Sequence, residues 1–558
     1  MSACSRLSET YKVGVTRKGL PASLFAKASP FVVTTALLSE SRNVTASTIL
    51  RFAKILLPLL PTMCVCVYAR AQIMLEKLAK QTAIYGISTI VGRFLSYLLT
   101  PFYTRIFGVE TYGVITDVYA LIPFALVVLT MGMESGFFRF TAKAEEAGGD
   151  VAAAKKRIFT TMWGITTLAA VIFFVLVAAF APECSALMGE VYTAHPEYVV
   201  IVAAIVMFDV AGCIPFSRLR EGGRALTFVG FKMANIIMQV GFAVLFWAVG
   251  LFESDFGVGW AFVANLLASA VTTIGVAISG RAVPKIHWAM LAAMFAYSLP
   301  LLISSVAGTA GEFIDRQLIK YLVPEGSMAQ LGIYGAITKI AVVMTLFTQM
   351  YRLAAEPFFL ANFRKDEFQQ TNAAAMKYYI IASMIIFLGI ALYRDLFALI
   401  VGSNFREGIY ILPVVLGANV LSGVWLNLSF WYKREEKTSY ALWVTLSGLV
   451  ASVVAGYALI PQWGYYGAAW SRFIAEVVMV AVSLTMNRIC YPTPYEFGRI
   501  GEYVAVALAL FFATEWLGVE SIALRYTVST AVLLLYMAYV VRREKIDVVA
   551  LVKAILRR

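Results

Sequence analysis

The feature that most constrains this chain is a long apolar run that keeps recurring. From residue 81 to residue 541, stretches of roughly 20 apolar residues alternate with short polar connectors. A helix of that length spans the ~30 Å hydrocarbon core of a bilayer, whereas a barrel strand needs only about ten residues. The chain therefore reads as an all-α polytopic membrane protein. Composition agrees. Of its 558 residues 60% are hydrophobic and 14% are charged, against roughly half and a quarter in a soluble domain.

Fourteen spans are predicted, at about 81–106, 114–137, 158–181, 198–217, 229–251, 257–279, 289–311, 332–351, 378–396, 408–431, 440–460, 465–486, 501–518 and 523–541. The connectors test this scheme. With the N-terminus in the cytoplasm, 28 Lys and Arg fall on the cytoplasmic side. Six fall outside: Arg105, Arg316, Lys320, Arg394, Arg406 and Arg525. That asymmetry is the positive-inside pattern, and it predicts both termini in the cytoplasm. It also accounts for the formal charge of +13. The bases are spread over membrane-flanking loops, so no nucleic-acid partner is expected.

Residues 1–73 differ from the rest. They are Ser/Thr-rich, with one apolar run, "ILLPLLPTMCVCVYA", that is short for a span and carries two prolines. At Met74, "MLEKLAKQTAIYGIS" has the form of a natural start. Residues 1–73 are read as an upstream extension from a misassigned start codon; a poor signal-like segment is the alternative.

The chain also repeats itself. "TPFYTRIFGVETYGVITDVYAL" closes the first span and opens the second; "DRQLIKYLVPEGSMAQLGIYGAITKIAVV" does the same for the seventh and eighth. Each has a base near the outer end (Arg105, Lys320), an acidic connector, then Tyr-Gly. "DFGVGWAFVANLLAS" and "QWGYYGAAWSRFIAE" form a looser second pair. The spacing predicts two six-helix lobes, residues 74–288 and 289–487, followed by two helices and a basic tail in 488–558. Lobes running the same way imply a pseudo-twofold axis along the membrane normal. The alternative is that an interfacial aromatic and a helix-entry glycine open many spans.

Ionisable groups inside spans are costly and normally face a cavity or a partner. Arg93 lies mid-span in "TIVGRFLSYLL"; Lys339 lies in the eighth span. Neither has an acid at helical spacing, so each is a candidate for meeting an anion. Glu134 lies late in the second span and Asp209 in the fourth. Arg472 and Glu476, four apart in the twelfth, are placed to pair on one helix face. So are Arg352 and Glu356 in the link after the eighth span, which reads equally as a solvated connector.

"GEFIDRQLIK" (311–320) is the densest cluster. On a continuing helix, Glu312, Asp315, Arg316 and Lys320 share about 140° of arc, with Phe313, Ile314, Leu318 and Tyr321 filling most of the rest. A solvated loop needs no such pattern. The seventh helix is thus predicted to run to about Leu322, where "VPEG" stops it. Its charged face would act as an outer gate, a lining for a passing substrate, or both.

Several chemistries find no support. The six cysteines include no CxxC, and the two histidines, His195 and His287, lie far apart; no disulfide framework or metal site is indicated. No GxxxxGK[ST] loop points to ATP hydrolysis. No cofactor is predicted. The acids Glu134, Asp209 and Asp315 are the candidates for coupling to an ion gradient.

From about Lys77 onward the sequence resembles the polysaccharide-biosynthesis, O-antigen-type flippases of the multidrug/oligosaccharidyl-lipid/polysaccharide exporter superfamily. The likeness rests on "TPFYTRIFGVETYG", "IDRQLIKYL", "GIYGAITKIA", "FTQMYRLAAEPFF", "LPVVLGANVLSGVWLNLSFWYKREEKT" and "YYGAAWSRF" in this order. The resemblance implies fourteen helices in two lobes and export of an undecaprenyl-diphosphate-linked oligosaccharide across the bacterial inner membrane for O-antigen, lipopolysaccharide or capsule synthesis. It implies glycosyltransferases and a polymerase as partners, and a monomer that is not an enzyme. Arg93, Arg316 and Lys339 would then meet the diphosphate head. More distant likeness to lipid II flippases places Arg93 in a similar "GR" context. A cation-coupled drug antiporter of the same superfamily is the main alternative; the buried bases favour an anion.

Overall fold

The computed structural model describes residues 97–545, apart from 98, 281, 363–366, 436, 438, 519 and 520. Residues 1–73, most of the first predicted span and Arg93 lie outside the described residues, as does the Glu312 side chain. Among the described residues every regular element is a helix. The end of the first span is α1 (Leu99–Ile106). The second span is α2 (Val109–Thr130) and α3 (Met133–Ala147). Then come α4 (Val151–Ala179), two short connector helices α5 (Ala181–Met188) and α6 (Glu190–Ala194), α7 (Pro196–Glu221), α8 (Ala225–Ala248) and α9 (Gly259–Ser279). The second half contains α10 (Trp288–Leu322), α11 (Ser327–Ile340), α12 (Val342–Asn362), α13 (Phe368–Ala391), the short α14 (Arg394–Ala398), α15 (Leu412–Arg434), α16 (Ser439–Trp463) and α17 (Tyr465–Cys490). Last are α18 (Phe497–Trp516) and α19 (Ile522–Arg543). Twelve helices among the described residues are long and apolar enough to cross a membrane, or thirteen with α11 and α12 taken as one bent span. Each predicted span from the second onward coincides with one of them.

Two predicted spans are not the straight helices expected. The second breaks at Met131 and Gly132, both left-handed at φ 52° and 68°. Gly132 lies against the Ser298 carbonyl of α10, where a β-carbon would not fit. Met131, with its side chain, costs roughly 1–2 kcal/mol in that conformation. The eighth span bends by 49° between α11 and α12. There Asn419 Nδ2 of α15 donates to the Ala341 carbonyl at 3.4 Å, and a side chain entering the helix ladder is a common cause of a kink.

The seventh span follows its prediction. α10 is one helix of 35 residues that ends at Leu322. At 1.5 Å per residue it is ~50 Å long, well beyond the apolar core.

The two halves meet where α2 crosses α11. Gly113 sits on the Met328 backbone and Gly332 on the Val109 carbonyl, with no room for a β-carbon at either. Small residues let membrane helices approach this closely, so backbone packing replaces side-chain packing. Nearby, Arg105 at the end of α1 donates to the carbonyls of Leu399 and Ile400 at 2.7 and 3.0 Å. This end of the molecule is called the Lys320 end below.

The C-terminal pair α18–α19 is tied to α13 at the opposite end, the Lys433 end. Buried Lys377 lies 3.4 Å from Glu544 and 3.5 Å from Glu496, and Tyr503 donates to Glu544 at 2.6 Å.

Candidate functional site: a sealed crossing and a polar gap

Lys320 of α10 and Asp117 of α2 form an ion pair of 2.5 Å, with side chains 4% and 1% exposed. Asp117 also accepts from Tyr192 of α6 at 2.8 Å and from Gln317 of α10 at 2.7 Å. Its charge is therefore met by three donors, as a buried carboxylate requires. Tyr192 seals the pair from above. Burial pushes its phenol well above the usual tyrosine range, and the Asp117 charge adds to that shift. Tyr321 holds the same connector by donating to the Leu187 carbonyl at 3.0 Å. Two turns further down, Phe124 and Phe313 stack across α2 and α10, with centroids 4.7 Å apart and planes 12° apart.

Beyond that stack α3 and α12 pack on different partners. α3 packs on α4 and α7 of its own half and on the lower part of α10; α12 packs on α13 and α15 of its own half. α10 shows what lies between. Leu299, Ile303 and Tyr321 are 52%, 54% and 60% exposed on one face, the expected contact with lipid. Ser305, Thr309, Glu312 and Arg316 lie about 180–240° around the helix from Ile303. Ser305 is exposed, and Thr309 and Arg316 are half-buried. Thus α10 has an apolar surface on one side and a polar one on the other. α12 carries a matching stripe: Thr345, Gln349, Arg352 and Glu356, spaced 4, 3 and 4, share about 60° of arc. Polar stripes on membrane helices face hydrated space, because lipid cannot satisfy them.

The other predicted residues fall into four groups. Lys339 lies at the end of α11 with its ammonium 5.0 Å from the Tyr97 ring. Asp315 is buried at the edge of the charged arc of α10 and accepts from Ser452 of α16 at 2.9 Å. It borders a cavity of about 150 Å³ together with Arg472 and Glu476, so these two helix neighbours share one polar pocket with α10. Glu134 pairs with Arg220 of α7, and Asp209 lies near Ser269 inside the first half. Arg352 and Glu356 do pair, at 3.4 Å, and Lys433 joins them at 2.7 Å from Glu356.

The sequence matches the polysaccharide biosynthesis protein family over residues 78–363, just over half of the chain. The chain belongs to this family. A search of the curated proteins returns no match. Among solved structures, this family member is similar to the lipid II flippase MurJ in an inward closed conformation, with a TM-score of 0.67 and 13% identity. That likeness covers 83% of this chain and 99% of MurJ. It is also similar to an inward-facing multidrug resistance MATE family transporter of the MOP superfamily. There the TM-score is 0.58 at 16% identity, over 73% of this chain and 94% of the other. The MATE multidrug transporter DinF-BH, in complex with R6G, follows at 0.54 and 17%, covering 74% and 96%. At these identities the likeness is one of fold. The fold is a multi-pass helical one shared with MurJ and these MATE transporters.

Asp117, Tyr192 and Gln317 escaped the sequence reading. Asp117 stands in "YGVITDVYAL" of the second span, and the cost of an intramembrane acid is the signal that singles it out. Nothing in the sequence marks Tyr192, which reaches Asp117 only because α6 folds over the crossing.

Proposed function

We propose that this protein is a flippase that moves an undecaprenyl-diphosphate-linked oligosaccharide across the bacterial cytoplasmic membrane by alternating access, for surface polysaccharide synthesis. It is a transporter rather than an enzyme in this reading. The observation that carries it is the two-sided α10, apolar on one face and polar on the other, with the Lys320–Asp117 crossing closed at one end. A lipid-linked glycan needs both surfaces at once, a wet path for its sugars and a greasy one for its tail. The excess of bases supports a cytoplasmic Lys433 end, in line with the cytoplasmic termini expected from the sequence. The shut Lys320 end is then the outer gate, and the gap opens inward. Arg316 and Lys339, with Arg93, supply charge-assisted donors for the diphosphate. The two lobes rock about the seal, which breaks Lys320–Asp117 and closes the inner mouth. Glycosyltransferases supply the substrate and a polymerase consumes it.

Surface glycan display tests this reading. Arg316→Ala and Arg93→Ala are expected to abolish it at normal protein level. Normal glycan in both variants would refute the assignment.

A further inference from the structure

At the Lys433 end the stripe of α12 finishes on a cluster whose purpose the gate does not explain. Arg352 is 51% exposed on its side chain, and its Nε reaches Glu356 Oε2 at 3.4 Å. Glu356 is already neutralised from its other oxygen by Lys433 at 2.7 Å. The two terminal guanidinium nitrogens of Arg352 have no acceptor among the described residues. The neighbouring base Arg434 is occupied differently, its guanidinium lying 4.9 Å over Phe368 and 5.2 Å over Tyr491. The trio of Arg352, Glu356 and Lys433 carries a net charge of +1, and its unsatisfied fork lies on the same face as Thr345 and Gln349.

We infer that Arg352, steered by Glu356 and Lys433, is the docking site at the inner mouth for the diphosphate of a polyprenyl-linked substrate. This rests on the flippase reading above. A lipid tail fixes the diphosphate at headgroup depth, and Arg352 is a stripe residue within one turn or so of Glu356, where the apolar span of α11–α12 ends. Lys339 lies 13 residues earlier, beyond the bend at Ala341 and more than three helical turns away, where the diphosphate arrives only after leaving the membrane surface. A planar guanidinium with two open donors matches a phosphate bidentately. Between the two bases Thr345 and Gln349 offer neutral hydroxyl and amide groups, suited to sugars. Glu356 plays a restraining part: it holds the fork in place and weakens the site, so that the diphosphate is released inward.

Binding of geranylgeranyl diphosphate to the full-length protein in phosphatidylcholine nanodiscs tests this. Arg352→Gln should weaken binding about tenfold or more, the loss expected of a charge-assisted hydrogen bond. Arg352→Lys should fall between it and the native protein. Glu356→Gln should bind more tightly than the native protein. Inorganic pyrophosphate should displace the probe. A merely structural cluster would weaken in both Arg352→Gln and Glu356→Gln, with matching losses of thermal stability, and that result would overturn the inference. So would competition by phosphatidylglycerol in the disc without competition by pyrophosphate, which would assign the site to bulk lipid headgroups. If the native protein binds and Arg352→Gln binds equally, the docking site alone fails. If the native protein does not bind the diphosphate at all, the flippase reading fails with it.

Discussion

Lys320 and Asp117 are 203 residues apart in sequence and 2.5 Å apart in space. Each belongs to a different half of the chain, and both are buried. The pair therefore joins the halves and must separate whenever they part at that end. Removing one member leaves the other buried and short of a partner, which typically costs ~3–5 kcal/mol. Lys320→Met and Asp117→Asn should each lower the thermal unfolding temperature in detergent, and the double variant should recover most of that loss. A double variant no more stable than either single one would mean that the two side chains do not act as a pair.

The helix crossing next to it depends on backbone contact. In Gly113→Val the added atoms meet the Met328 backbone, and no rotamer avoids that. A loss of at least ~1–3 kcal/mol is expected from overpacking. Gly108 has open space around its α-carbon and an ordinary φ of −66°, so Gly108→Ala should stay within about 0.5 kcal/mol. Thermal unfolding of both variants checks the contrast.

Thiol labelling can distinguish the polar stripes of α10 and α12 from the lipid face of α10. Cysteine at Ser305, Gln349 or Thr345 should react with a membrane-impermeant maleimide in open membrane fragments. Cysteine at Leu299 or Ile303 should not, because lipid covers that side. Equal labelling of both sets would remove the polar gap from the picture.

The anchor of α18–α19 should respond to acid. Burial raises the Glu544 carboxyl, but Tyr503, Lys377 and Arg499 outweigh it and hold the group below its ordinary value. A depressed carboxyl contributes stability above its unfolded value and loses it as pH falls through the folded one. Amide protection in α18 and α19, taken relative to the intrinsic exchange rate at each pH, should therefore fall as pH drops below the usual glutamate range. Glu544→Gln should exchange faster at neutral pH and show a flatter acid response.

Much of this was legible in the sequence. Apolar runs set the helices, because a bilayer leaves the backbone almost no other way to satisfy its hydrogen bonds. "VPEG" ended α10 where expected, since helix angle alone separates the charged arc of residues 312–320 from its apolar neighbours. The spacing of Arg352 and Glu356 announced their pair. Local spacing says nothing about breaks imposed from outside the helix. The 49° bend at Ala341 depends on Asn419 of another helix, and the turn at Met131 depends on contact between Gly132 and α10.

The sequence by itself determined that this is a helical membrane protein, where its helices run and which of its residues carry charge into the membrane. The tertiary structure alone decided which charges meet. Lys320 found Asp117 and Tyr192, Asp315 found Ser452, and Glu356 found Lys433 as well as Arg352. A buried charge must be matched by whatever donor or acceptor the packing brings within ~3 Å, and that distance is set by helices that are remote in sequence.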